Sequence, residues 1–339
     1  MAVTVIDVAR AAGVSKSTAA RALAGDPGVS GPTKAKVLAA AAKLNYRVNR
    51  LARGLRGGNS RLIGLLVTNM VNASVQVITE VLQTRASQEG YQILLGITGG
   101  DPVREAGIVE ALIDNRVDGL ITMSTAENVD LFNRHHANGL PVVNLIRRPR
   151  GTDAPSVVPD NFHGAYEATR YLLDLGHTSI AYVGGPSAVA SGRERLNGYK
   201  SAMDERGLEI APELIIKGAF EPAFGAQAAT ELFAAQDHFT GLVVANHEAL
   251  FGLLPALAER GMSIPGQLSV VGFEDTLWFP HWHPPITVVD VDPVGLGNSA
   301  MDALLEQIHG GCRADPVAIR SSTRLIVRSS AARPTSHGR

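Results

Sequence analysis

Residues 4–23 read TVIDVARAAGVSKSTAARAL. Thr4, followed three residues later by Asp7, fits a capping box that opens a helix. Ile6, Val8, Ala9 and Ala12 give that helix an apolar or small face, and Gly13 ends it because glycine tolerates a left-handed turn. Ser15 caps a second helix, Lys16 to Leu23, which runs into Gly25-Asp26-Pro27. Ser30 starts a third, with Pro32 in its first turn and Val37, Leu38, Ala41 and Leu44 along one face. Two short helices joined by a tight Ala-Gly-Val-Ser turn, with a third behind them, make a helix-turn-helix unit. In such a unit the second helix enters the major groove with its first residues toward base edges. Lys16, Ser17, Thr18 and Arg21 stand there, while Ala19, Ala22 and Leu23 belong to the core. Arginine and lysine suit guanine, and serine and threonine can donate or accept with bases or phosphates.

The charge distribution agrees with that reading. Among residues 1–60 there are ten Lys and Arg against two acids, Asp7 and Asp26, a net +8; the rest of the chain carries −9. A basic head on an acidic body is the electrostatic footprint of polyanion binding. After Tyr46 comes a short basic amphipathic run, residues 48–56, and then Gly57-Gly58-Asn59-Ser60 as a flexible linker. A lone helix so short is unstable in water and orders only when DNA or a partner helix supports it.

At 339 residues the chain is too long for one ordinary domain. Its single cysteine, Cys312, allows neither a disulfide framework within one chain nor a thiolate metal site, which suits a reducing cytoplasm. No apolar run is long enough to span a membrane, and the N-terminus lacks the pattern of a secretory signal. There is no Walker phosphate loop, no Gly-x-Ser-x-Gly and no HExxH, so no metal, cofactor or catalytic residue is expected. His281-Trp282-His283 is two histidines without a third ligand nearby.

From residue 61 short apolar runs alternate with stretches of helical length. One series is Leu62–Val67, Ile93–Ile97, Gly119–Met123 and Val142–Ile146; a second is Ile180–Val183, Leu214–Ile216, Leu242–Ala245 and Leu268–Phe273. Continuous apolar strands between helices mean parallel sheets covered on both faces, and two series mean two doubly wound subdomains. Ligands of such sheets bind outside the carboxyl ends of the strands.

The stretches TVIDVARAAGVSKSTAARAL and VSGPTKAKVLAAAAKLNYRVNRLARGL closely resemble the LacI/GalR family of bacterial repressors. The likeness continues in family order through IGLLV, GYQILL, VDGLI, DNFHGAYEAT, LGHTSIAYVGG, RERLNGY, VVANHEALFG, IPGQLSVVGFED and PPITVV, over residues 3–328. The resemblance implies an all-α helix-turn-helix head at 1–47, a hinge helix and linker at 48–60, and an α/β two-lobed body of periplasmic-binding-protein type at 61–330. The N-lobe would comprise about 61–160 and 293–322, the C-lobe about 161–290 and 323–330, and 331–339 would be a disordered tail. It also implies that Lys16, Ser17 and Arg21 read operator bases with support from Thr18, and that Thr4, Ser15, Asn49 and Ala52 contribute to the DNA contact. Leu55 would be the hinge leucine that wedges into the minor groove, kinking the duplex. Two departures stand out: Val48 replaces a frequent proline, and Gly54 inside the hinge helix costs ~1 kcal/mol relative to alanine.

For the body, the resemblance points to an effector between the lobes. Asp160 is either a helix N-cap or a hydroxyl-binding carboxylate, and Phe220 either a core aromatic or a cover over the ligand. Arg195 can fork onto hydroxyls or a carboxylate, Asn246 can pair with a sugar hydroxyl, and His247 and Glu274 complete the set. His247 and Glu274 each stand where the family usually has aspartate, and Asn72-Ala73-Ser74-Val75 lacks the aromatics common there. Trp278, His281, Trp282 and His283 are expected to cluster between the lobes. With Arg193, Arg195 and His247, the pocket reads as less acidic than usual, which points to an anionic ligand such as a sugar acid or sugar phosphate. The partners implied are a near-palindromic duplex operator, a sugar-like effector and a second copy of the chain, as a homodimer or tetramer. The competing readings are a ligand-binding protein like the periplasmic transport receptors, and an enzyme on a doubly wound fold.

Overall fold

The computed structural model describes residues 3–46, 60–234, 239–312 and 317–335. The chain divides into two compact units, residues 1–60 and 61–339. The described residues of the first form three helices: α1 (Val5–Ala12), α2 (Lys16–Leu23) and α3 (Gly31–Lys43). Gly13 terminates α1 at φ 65°, the left-handed conformation that favours glycine. Val8, Ala9, Ala19, Ala22, Val37, Ala40 and Ala41 form the core of this unit, with Leu23, Leu44 and Tyr46 packed at its margin. The small alanines let three short helices approach closely. Ile6 and Leu38, expected on the apolar faces, are instead about half exposed. Ile6 follows the packed Val5 and Leu38 follows the buried Val37, each turned about 100° away from the arc that faces the core.

The second unit holds two six-stranded sheets. Strands β1 (Leu62–Val67), β2 (Gln92–Ile97), β3 (Gly119–Thr122), β4 (Val142–Leu145) and β5 (Ser156–Pro159) build the first, joined by a late strand β11 (Ala318–Ser321) in the order β11-β5-β4-β3-β1-β2, all parallel. Strands β6 (Ile180–Gly184), β7 (Ile215–Lys217), β8 (Gly241–Val244), β9 (Ser269–Phe273) and β10 (Thr287–Asp290) build the second, in the order β12-β10-β9-β8-β6-β7. Its added strand β12 (Arg324–Ile326) runs antiparallel to β10. Helices α4 (Ala73–Gln88), α5 (Pro102–Asp114), α6 (Val129–Ala137) and α11 (Pro293–Gly310) go with the first sheet. Helices α7 (Asn161–Asp174), α8 (Ala190–Glu205), α9 (Pro222–Ala234) and α10 (His247–Glu259) go with the second. The chain passes between the lobes three times: at Asp160, between β10 and α11, and between β11 and β12.

Residues 331–335, expected to belong to a disordered tail, are tied down. The Ala332 carbonyl accepts from His177 Nε2 at 2.9 Å and from Ser269 Oγ at 3.0 Å, and its N–H donates back to Ser269 Oγ at 3.0 Å. Sequence polarity misleads here because the tie runs through backbone atoms, whatever the side chains are. No helix among the described residues is long and apolar enough to cross a membrane.

Candidate functional site

Helix α2 turns its polar residues outward. Lys16, Ser17 and Arg21 are exposed, Thr18 is half-buried, and Ala19 and Ala22 are buried. Ser15 caps the helix by accepting from the Thr18 N–H at 3.1 Å, and its hydroxyl lies 2.9 Å from Ser17 Oγ and 2.8 Å from Thr18 Oγ1. Ser15 and Thr18 therefore serve the cap as well as the surface. The Thr4 N–H and hydroxyl both donate to the Asp7 carboxylate, at 2.9 and 2.7 Å, so the hydroxyl proton a phosphate would accept is already engaged. Those hydrogen bonds hold the Asp7 carboxyl below its ordinary pKa. Arg21 Nε donates to Asp26 Oδ2 at 2.7 Å, and Asp26 Oδ1 accepts from the Gly28 N–H at 2.8 Å. Asp26 thus braces the arginine of the outward face. Sequence reading placed Asp26 only in a turn; its signal is an acid five positions beyond a candidate base-reading arginine. Asn49, Ala52 and Leu55 lie outside the described residues.

In the larger unit Arg195, Asn246, His247 and Glu274 converge at the carboxyl ends of β8 and β9. Arg195, on α8, donates through Nε to Asn161 Oδ1 at 2.8 Å, through Nη1 to the Ala245 carbonyl at 2.6 Å and through Nη2 to Glu274 Oε1 at 2.8 Å. Its guanidinium lies 3.9 Å over the Phe273 ring. His247 Nδ1 sits 2.6 Å from Glu274 Oε2. All three ionisable side chains are buried. Burial alone would push the Glu274 carboxyl up. The Arg195 charge, with the His247 and Arg195 hydrogen bonds, outweighs burial and holds the carboxyl at about 2 against the ordinary 4.5. Arg195 and His247 are therefore committed to Glu274 and do not give the pocket a basic surplus, contrary to the sequence argument.

The remaining candidates have local roles as well. Asp160 caps α7 by accepting from the His163 N–H at 3.1 Å, and its own N–H donates to the Ser321 carbonyl at 2.9 Å at the crossing between lobes. Asn246 caps α10 by accepting from the Ala249 N–H at 3.0 Å. Phe220 is half-buried against Gly185, where an added Cβ would stand 2.0 Å from the ring. Asn72 caps α4 and donates to Glu248 Oε1 at 3.2 Å, a side-chain bond from one lobe to the other.

A cavity of about 420 Å³ opens between the lobes. Ser124, Ala126 and the run Arg147-Arg148-Pro149-Arg150 line it from the first lobe; residues 187–191 and Arg193 line it from the second. None of Asp160, Arg195, Phe220, Asn246, His247 and Glu274 lines this cavity. Nor do Trp278, His281, Trp282 and His283, expected between the lobes: Trp282 packs on the second lobe's own core and Trp278 is 67% exposed. Sequence reading missed the arginine run, whose signal is three arginines in four positions directly after a strand. Among the described residues no group of His, Cys, Asp and Glu is placed to hold a metal ion.

Residues 4–49 match the bacterial regulatory proteins, lacI family, and residues 169–331 match the periplasmic binding protein-like domain. The chain is 31% identical over 308 residues to the HTH-type transcriptional repressor PurR of Vibrio campbellii (strain ATCC BAA-1116), covering 90% of this chain and 92% of that one. It is 32% identical over 339 residues to the HTH-type transcriptional regulator AscG of Escherichia coli (strain K12), covering 98% and 99%. The lac repressor dimer, solved bound to operator and the anti-inducer ONPF, superposes with a TM-score of 0.86 at 27% identity, covering 98% of this chain and 100% of that one.

Proposed function

The chain belongs to the LacI family of bacterial regulatory proteins, and from that membership we propose how its parts divide the work. The head reads duplex DNA through Lys16, Ser17 and Arg21 of α2, with Thr4, Ser15 and Thr18 supporting the helix and the phosphate contacts. Asn49 contacts the DNA backbone near the hinge, Ala52 adds to the DNA contact, and Leu55 wedges into the minor groove at the centre of the site. The body binds a small effector between its lobes and represses or releases according to the effector's differential affinity for two lobe arrangements. Ser187 and Ser191 in the cavity wall suit a hydroxyl-rich ligand of sugar type. Arg195, His247 and Glu274 brace the ends of β8 and β9 in the lobe that carries Arg193, while Asp160 sits at a crossing, where lobe movement is felt. The protein acts in the cytoplasm as a regulator rather than an enzyme. It pairs with a second copy, as the lac repressor with which it superposes was solved as a dimer.

The observation that carries this reading is the outward face of α2, with Arg21 braced at 2.7 Å by Asp26. A transport receptor or an enzyme has no use for such a face on a +8 head. The test is selection of bound duplexes from a random pool by the full chain. Enrichment of a near-palindrome with two half-sites supports the reading; a pool left unenriched at every salt concentration, with and without cell extract as effector source, contradicts it.

A further inference from the structure

The cavity between the lobes carries four arginines in its lining and no carboxylate. Arg147 is the informative one. It is half-buried, and among the described residues its side chain makes no hydrogen bond or ion pair. Burial pushes its guanidinium pKa down, opposed by the more distant charges of Glu105 and Glu127. Glu105 is no direct counterion, because its carboxylate is already taken by the Thr125 hydroxyl at 2.6 Å, the Thr125 N–H at 3.1 Å and Asn128 Nδ2 at 2.7 Å. A desolvated cation without a contact partner on a cavity wall favours an anion in the cavity.

The opposite wall supplies an independent observation. Helix α8 begins at Ala190, its N-cap Val189 has no side chain that can cap it, and its first turn holds no acid. Val189, Ala190 and Ser191 line the cavity, so the unsatisfied N–H groups and the positive end of the helix are at its wall. Gly192 fixes this arrangement: a Cβ there would stand 2.3 Å from the Pro186 carbonyl oxygen. Arg193 is held beside the same opening by Nη1 donating to the Ser187 and Ala188 carbonyls at 3.2 and 3.4 Å.

We propose that the cleft takes an anionic effector, a phosphate ester or a carboxylate, whose charged group is gripped between Arg147 and Arg150 on one lobe and Arg193 with the N-terminus of α8 on the other. This rests on reading the cleft as the effector site. It adds the ligand's chemical class and the residues that recognise it. Because the two walls come from different lobes, neutralising the anion draws them together, and the charge itself becomes the signal for lobe closure.

The test uses the full chain without DNA, at matched ionic strength. Thermal unfolding is followed with inorganic phosphate, gluconate and glucose as probes, for the wild type and for the triple variant Arg147→Gln, Arg150→Gln, Arg193→Gln. A saturating anion is expected to raise Tm by about 5 °C, with glucose giving no comparable rise. The variant should need at least about tenfold more anion for the same shift. A response to phosphate alone identifies a phosphate ester, and a response to gluconate alone a carboxylate. If the triple variant does not fold, the exposed Arg150→Gln takes its place, with a smaller loss expected. Equal anion responses in wild type and variant, a glucose response as large as the anion response, or no anion response would each overturn the proposal. The effector-site reading fails separately: it falls if an arginine-dependent anion response leaves affinity for the selected duplex unchanged.

Discussion

Arg21 and Asp26 show how one residue's role depends on another that lies past a turn. A charge-assisted hydrogen bond at 2.7 Å restricts the rotamers of a side chain that would otherwise sample many on an exposed helix. Arg21→Ala is expected to cost about 1–3 kcal/mol of discrimination at one base position. Asp26→Ala should lose a smaller part of it while leaving non-specific affinity equal or higher. Competition between the selected duplex and single-base variants of it reads both. In the body, the buried Arg195–Glu274–His247 group is a matter of stability. Glu274→Ala strands Arg195 in the interior, and chemical denaturation should show a loss of about 3–5 kcal/mol. The sign of its pH dependence follows from the depressed carboxyl. Its contribution, about 3 kcal/mol, is present above the ordinary 4.5 and is lost as pH falls toward about 2. Glu274→Gln should flatten that acid limb of the unfolding curve. The resemblance grouped these residues as ligand contacts, but that they pair with one another was not legible in the sequence. Arg195 and Glu274 are 79 positions apart, and nothing local says that the carboxylate an arginine needs arrives from another strand end.

At the scale of elements the sequence was more informative. The apolar runs from Leu62, Ile93, Gly119 and Val142 are strands to within a residue or two; those from Leu62, Gly119 and Val142 are covered on both faces and leave no polar alternation, whereas β2 is a partly exposed edge strand. Leu214 departs from the expected β7 because it closes a 3-10 turn, Pro212–Leu214, before the strand begins. The short edge strands β11 and β12 carry no apolar run to mark them, since one edge of each is open to solvent. Helices α9 and α10 pack more closely than their composition suggests. A Cβ on Gly225 would stand 1.8 Å from the Ala249 carbonyl oxygen, and one on Gly252 the same distance from that of Pro222. These contacts involve backbone, which cannot swing aside. Gly225→Ala and Gly252→Ala are each expected to destabilise by about 1–3 kcal/mol or more, seen as a lower denaturation midpoint at unchanged m-value.

For the whole molecule, the charge asymmetry and the helix-turn-helix pattern identify a DNA reader from sequence, because both are written in contiguous residues. The cavity between the lobes is not contiguous in sequence. Its walls come from loops after β3, β4 and β6, and the arginine run at 147–150 reads in isolation as an ordinary solvated loop. Only the fold sets that run opposite Arg193 and the start of α8. A reader of this kind recognises a particular duplex sequence. The most direct test is equilibrium binding of the full chain to the selected duplex and to a shuffled duplex of equal composition, over a series of salt concentrations. The selected duplex is expected to bind at least about a thousandfold more tightly, with both affinities falling steeply as salt rises. Equal affinities for the two duplexes, however strong and however salt-dependent, would contradict sequence-specific recognition.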